Sequence, residues 1–271
     1  EAPAEMALAD TVAGVGCVDR DTVQYTGTDV LFLSHTGLKS FGRTIQEKSM
    51  PISSLSDTIT KDIINLLQNE ISFYRSVYSP EEGFYLLSFV GQDVTYCFDV
   101  RGTLENGSYR ATRWPGTGFT AYTRLESGKL YIGTTEGISE YSGYSDNGTK
   151  YRFKYYSPGL TFGDPSMLKR VKKIRPTLVG ANSATVFLKW AYDFDTFYRT
   201  AEFTVGNQQP AFYNESEFNV GEFTGGELTS RRAVNATGGG GVINIGLEAD
   251  INGFALSLQE INVLVLKGKV L

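Results

Sequence analysis

Two stretches of this chain are built alike. Val30-Leu31-Phe32-Leu33-Ser34-His35-Thr36-Gly37-Leu38-Lys39-Ser40-Phe41 and Lys129-Leu130-Tyr131-Ile132-Gly133-Thr134-Thr135-Glu136-Gly137-Ile138-Ser139-Glu140-Tyr141 each run from an apolar strand, through a small polar turn, into a second strand with alternating side chains. That pattern implies a β-hairpin in both places. Between them, Phe84-Tyr85-Leu86-Leu87-Ser88-Phe89, the turn Gly91-Gln92-Asp93 and Val94-Thr95-Tyr96-Cys97-Phe98 form another strand pair of the same size. The hairpins centre near positions 37, 92 and 136, about the 40 to 50 residue spacing of propeller blades. Three blades do not close a ring, so a partial propeller is expected, in a chain whose upstream part is absent or a fold that closes only with other segments.

The composition agrees with a strand-rich chain. Gly 30, Tyr 16 and Phe 17 against Pro 8 favour strands joined by tight turns, because aromatics suit a pleated surface and glycine supplies positive φ. At 41% hydrophobic and 20% charged the chain is an ordinary globular one, which excludes disordered, collagen-like and coiled-coil classes. One segment breaks the β pattern: over about residues 55–71, Ile59, Ile63, Leu66, Leu67 and Ile71 repeat at helical spacing, with Ser56 as the expected N-cap. This predicts one amphipathic helix.

Charge divides the chain in two. Residues 151–271 hold 13 Lys/Arg and 11 Asp/Glu, a balance of +2, and residues 1–150 hold 12 and 19, a balance of −7. The split points to a propeller-like module over 1–150 and a β-sandwich or platform module over 151–271. The latter shows strand patterns at 168–179, 184–194, 201–205, 242–251 and 254–265. No run approaches the roughly 20 apolar residues needed to span a bilayer. The opening Glu1-Ala2-Pro3-Ala4-Glu5-Met6 reads as a piece of a longer polypeptide or a processed product.

Several motifs invite a chemical reading and are weighed down by a plainer one. Gly238-Gly239-Gly240-Gly241 is followed by the strand-like Val242-Ile243-Asn244-Ile245, whereas a phosphate cradle needs a helix N-terminus there. A mobile loop is expected. Asp193-Phe194-Asp195 could place two carboxylates on one strand face, or simply end a strand in solvent. Ser145-Asp146-Asn147-Gly148-Thr149 comes close to the Asp-box turn of sialidase propellers, but its serine is one place too near, so an Asn-Gly hairpin turn is expected. His35 is the only histidine, which leaves no His-rich metal site. Cys17 and Cys97 are expected to be buried thiols, or less plainly one bridge. Sequons begin at Asn106, Asn147, Asn214 and Asn235. No catalytic residue, cofactor or metal site is assigned.

The strongest charge cluster is Lys169, Arg170, Lys172, Lys173 and Arg175, with Val171 and Ile174 between. On a strand these side chains alternate between two faces. The plain account is a lysine-rich sheet edge that resists aggregation; the functional one, which we expect, is a subunit or partner interface. Base reading would need a groove-fitting helix or ribbon instead.

The order of segments resembles a known family. Gly16-Cys17, Val23-Gln24-Tyr25-Thr26-Gly27, residues 30–41, the 52–71 helical segment, residues 130–138, Tyr155-Tyr156-Ser157-Pro158-Gly159-Leu160-Thr161-Phe162-Gly163, Lys169, Trp190-Ala191-Tyr192-Asp193-Phe194 and Gly253-Phe254-Ala255-Leu256-Ser257-Leu258-Gln259-Glu260 together resemble the tail nozzle or hub proteins of short-tailed bacteriophages, also called DNA-stabilization or tail tubular proteins. The resemblance implies a structural, non-enzymatic virion protein, located in the tail and assembled in the host cytoplasm. It implies a homo-oligomeric ring below the portal and adaptor, touching tail fibre or spike proteins, with genomic DNA passing through the channel unread. Net charge of −5 suits a conduit through which a polyanion slides without being gripped. The alternative is a carbohydrate-binding or glycan-cleaving propeller, resting on Trp114, Trp190 and the near Asp-box, although no motif identifies the paired carboxylates a glycosidase needs.

Overall fold

The computed structural model describes residues 15–46, 54–68, 73–180, 184–205 and 229–270. The protein is mainly β and divides into two compact units, Glu1–Tyr141 and Ser142–Leu271.

The N-terminal unit holds three antiparallel meanders in chain order. The first comprises β1 (Gln24–Tyr25), β2 (Val30–Ser34) and β3 (Gly37–Ser40); the second β4 (Tyr74–Ser79), β5 (Phe84–Phe89), β6 (Val94–Thr103) and β7 (Tyr109–Pro115); the third β8 (Ala121–Arg124), β9 (Leu130–Gly133) and β10 (Ile138–Glu140). The expected hairpins are β2–β3, β5–β6 and β9–β10. At the first turn Gly37 has φ +110, and a Cβ there would lie 2.6 Å from both Ser54 Oγ and Ser56 Oγ, so only glycine fits.

Every residue of β5 is buried because both faces of the middle meander are covered. Tyr85, Leu87 and Phe89 join Leu31, Leu33, Leu38 and Ile63 in one core, while Phe84 and Leu86 join Leu130 and Ile132 in another. The period of two thus splits one apolar run between two cores.

The helical segment is shorter than its apolar stripe. A 3₁₀ turn over Asp57–Ile59 leads into α2 (Thr60–Leu67), with residues 69–71 outside the described ones; a further short helix, α1 (Phe41–Gln46), was not expected. Ser56 makes no side-chain cap. Its hydroxyl instead accepts the Leu38 N–H at 3.0 Å, tying the helix entry to β3.

In the C-terminal unit β11 (Tyr151–Tyr156), β18 (Ile243–Ile251), β13 (Ala184–Tyr192) and β14 (Arg199–Val205) form one antiparallel sheet in that spatial order. The second is built on β12 (Met167–Gly180). The long β19 (Leu256–Val270) runs along one edge of β12, and β15 (Thr229–Arg231), β16 (Val234–Asn235) and β17 (Gly239–Gly240) pair successively along the other. Val171, Ile174 and Leu178 of the second sheet pack with Val186, Leu188, Trp190, Ile245 and Leu247 of the first in a single core. That arrangement is a β-sandwich. Pro176, which has no N–H to give, falls between the β16 and β15 registers.

Candidate functional site

The basic cluster lies on β12, and β12 is not an edge. Pairing on both sides overturns the edge-protection account. The cluster also does not split evenly between two faces. A register shift between Val171 and Lys173 is a β-bulge, and an extra residue re-aims everything beyond it. Val171 and Ile174, three apart, therefore both enter the core, and Arg170 and Arg175 both lie exposed. Lys172 is exposed at the bulge and Lys173 is half-buried.

Lys169 leaves the cluster altogether. It is 1% exposed, and its Nζ donates to the Asp164 carbonyl and, at 3.1 Å, to the Gly241 carbonyl. A buried ammonium needs oxygens in place of the water it gives up. Lys169 is thus an internal strut, and the exposed surface belongs to Arg170, Lys172, Lys173 and Arg175.

The strut ends on the glycine segment, which corrects the expectation of a mobile loop. Gly239 and Gly240 pair with Arg170 and Lys169 as β17. Asp193 Oδ1 accepts the N–H of Gly241 at 2.8 Å and of Val242 at 3.0 Å. Trp190 Nε1 donates to the Thr237 carbonyl at 3.0 Å and Tyr192 OH does so at 3.2 Å. The glycines are needed because there is no room. A Cβ on Gly238 would sit 2.7 Å from Tyr192 Cε2, one on Gly239 2.9 Å from the Lys169 carbonyl, and one on Gly240 2.6 Å from Asp193 Oδ2.

The same bonds decide the Asp193-Phe194-Asp195 motif. Asp193 and Phe194 have φ of 50 and 62, a left-handed turn that non-glycine residues adopt only when held. Asp193 is held through the glycine segment, and Asp195 Oδ1 accepts the Phe197 N–H at 3.0 Å. The two carboxylates serve two separate backbone turns. They do not form a cation site, and among the described residues no group of three or more His, Cys, Asp or Glu could hold a metal.

A polar network that the sequence reading missed covers the outer face of the four-stranded sheet. Glu248 Oε2 accepts from Arg152 Nη2 at 2.8 Å, and its Oε1 accepts from Lys189 Nζ at 2.8 Å and from Tyr156 OH. Arg152 also donates to Asp250 at 2.8 Å and lies 4.3 Å over the Phe187 ring. Burial pushes the Glu248 carboxyl up, but the hydrogen bonds from Lys189, Tyr156 and Arg152 outweigh it and hold it down at about 2. The Lys189 ammonium is raised by the hydrogen bond it donates to the same carboxylate. The signal was alternation: Glu248 pairs with Lys154 and Phe187, and Lys189 with Gly246, on facing strands. All these charges are already matched, so the network stiffens the face.

The remaining motifs resolve simply. His35 is exposed at the β2–β3 tip. Asp146 and Thr149 exchange backbone bonds of 2.8 and 2.7 Å around Asn147 and Gly148, both at positive φ, which is the expected Asn-Gly turn. Cys17 is exposed, against expectation, and Cys97 is half-buried; both are free thiols. Burial pushes the Cys97 thiol up to about 12. Asn106 Oδ1 accepts the Ser108 N–H at 3.1 Å, and Asn235 is exposed on β16; Asn214 lies outside the described residues. Trp190 is 4% exposed, and Trp114 is half-buried and stacked on Tyr141 at 6.4 Å.

No protein-family model matches the chain, and no curated protein does either. Among solved structures it is similar, over 48% of its length and 70% of the other chain, to one titled TmCBM61 in complex with β-1,4-galactotriose, with 11% sequence identity and a TM-score of 0.23. A likeness that weak carries no functional argument.

Proposed function

We propose that this chain is a structural subunit of the tail nozzle or hub ring of a short-tailed bacteriophage, forming part of a conduit for genome retention and ejection. The observation that carries the reading is the order of the resembling segments together with where they fall. Residues 30–41 form the β2–β3 hairpin and open α1, residues 130–138 form β9 and the turn into β10, residues 190–194 close β13, and residues 253–260 open β19. These four segments are therefore framework of the two units. The chemistry found in the C-terminal unit is also scaffold chemistry: Lys169, Asp193 and Glu248 each fix backbone or side chains of the sandwich.

The test is native mass measurement of the purified chain together with its detection in tailed particles. A closed oligomer and a fixed copy number per tail are expected. A persistent monomer that is missing from tailed particles overturns the reading. Cleavage of oligosaccharides by the pure protein would put a glycan-acting protein in its place.

A further inference from the structure

The outer face of the β12–β19 ribbon mixes cations with exposed aliphatic side chains. Arg170 stands opposite Leu266, Lys173 opposite Leu264 and Arg175 opposite Asn262. Leu264 and Leu266 are 53% and 48% exposed, while Val263 and Val265 pack against the core. The ion pairs of the C-terminal unit join Lys150 to Asp250, Arg152 to Glu248 and Asp250, and Lys189 to Glu248. None of them, among the described residues, takes in Arg170, Lys172, Lys173 or Arg175. Phosphate tracks are wet and polar, whereas arginine beside exposed apolar side chains is the make-up of a protein interface.

The same chain carries a matching surface. Glu81 and Glu82 are exposed in the β4–β5 turn, and Leu125 and Glu126 are exposed in the β8–β9 turn. The turns are neighbours: a Cβ on Gly128 would lie 3.2 Å from Glu81 Cγ, and Arg124 reaches Glu81 at 3.6 Å. Leu125 is 46% exposed. Glu82 and Glu126 enter no ion pair among the described residues, and Arg101, which feels the charge of Glu82, is paired with Asp99.

We propose that the Arg170, Lys173, Arg175, Leu264 and Leu266 face of one copy docks the Glu82, Leu125 and Glu126 turns of a second copy. The assignment rests on the ring reading above and names the two surfaces that meet. When a pair of copies makes this contact only once, it is heterologous, and repeating it generates a ring or a filament. Steering between opposite charges speeds and orients such a contact and weakens as salt screens it.

Sedimentation of the full chain over a range of concentration and salt tests this, using Arg170→Glu with Arg175→Glu, Glu82→Lys with Glu126→Lys, and all four together. Each pair should raise the dissociation constant roughly tenfold or more, and the four together should recover most of the loss. Arg170→Gln with Arg175→Gln serves if charge reversal disturbs folding, and should weaken association in the same direction. Unchanged association in the charge variants, no recovery in the fourfold variant, or a wild-type chain that stays monomeric overturns the proposal. So does a variant that assembles normally but loses affinity for a fluorescent DNA duplex, which would make the face a polyanion contact. A monomeric chain nevertheless found in tails would overturn this docking while leaving the tail reading in place.

Discussion

The two units solve the problem of covering a sheet in opposite ways. The N-terminal unit stacks meanders, so its middle sheet is buried on both faces and serves two cores at once. The C-terminal unit has one core between two sheets, and the outward face of the first sheet is left to charges such as Arg152, Lys189 and Glu248. The difference sets what each unit depends on. The stack depends on apolar packing of its central strand, and the sandwich adds local devices to packing: a glycine segment pinned by Lys169 and Asp193, a bulge in β12, and a matched charge network.

The largest effect should come from breaking the double burial of β5. Leu86→Ala and Leu87→Ala, adjacent in sequence, should each cost roughly 3 kcal/mol of stability, and they should loosen different regions. Hydrogen exchange should accelerate in β8 and β9 for the first variant, and in β2, β3 and α2 for the second. If both variants loosen the same strands, the middle sheet does not divide two cores.

A smaller loss is expected at the glycine segment. Gly240→Ala puts a Cβ 2.6 Å from Asp193 Oδ2 and 2.8 Å from Tyr192 Cβ, and should cost about 2 kcal/mol, seen as a lower Tm. Full tolerance of alanine there would show that the segment is free after all.

The charge network should make the sandwich acid-sensitive. Glu248 has a carboxyl depressed from 4.5 to about 2, so its contribution is fully present above about pH 4.5 and is lost as pH falls towards 2. Glu248→Gln should remove that slope and cost about 1 to 2 kcal/mol at neutral pH, because Arg152 and Lys189 lose their shared partner. Denaturant melts of both proteins between pH 2 and pH 6 check this; parallel curves would contradict it.

The smallest effect separates the thiols of the N-terminal unit. Cys17 is exposed and Cys97, with its thiol raised to about 12, is not. Iodoacetamide at neutral pH should label Cys17 on the native protein and reach Cys97 only after denaturation. Equal labelling rates would place Cys97 in solvent.

Parts of this architecture were legible in the chain for physical reasons. The β2–β3, β5–β6 and β9–β10 hairpins announce themselves because apolar runs such as Phe84-Tyr85-Leu86-Leu87-Ser88-Phe89 end in turn residues. The strands of the sandwich are readable by alternation, as in β13 from Ala184 to Trp190. What alternation misjudges is the basic cluster, since counting by two sends Val171 and Ile174 to opposite faces. Two apolar residues three apart in a strand were themselves the sign of a bulge. The closure of the glycine segment was not readable: Asp193 meets Gly241 across 48 residues, and nothing local to either announces the other. The six-residue α1 is too short for its periodicity to stand out.

The proposed role in a tail ring is tested most directly by low-resolution imaging of purified short-tailed particles whose copy of this chain carries a bulky C-terminal tag. Extra density repeated around the tail axis, below the portal, is the result this account predicts. Tagged particles with no added density at the tail, or with density confined to the capsid shell, would contradict it.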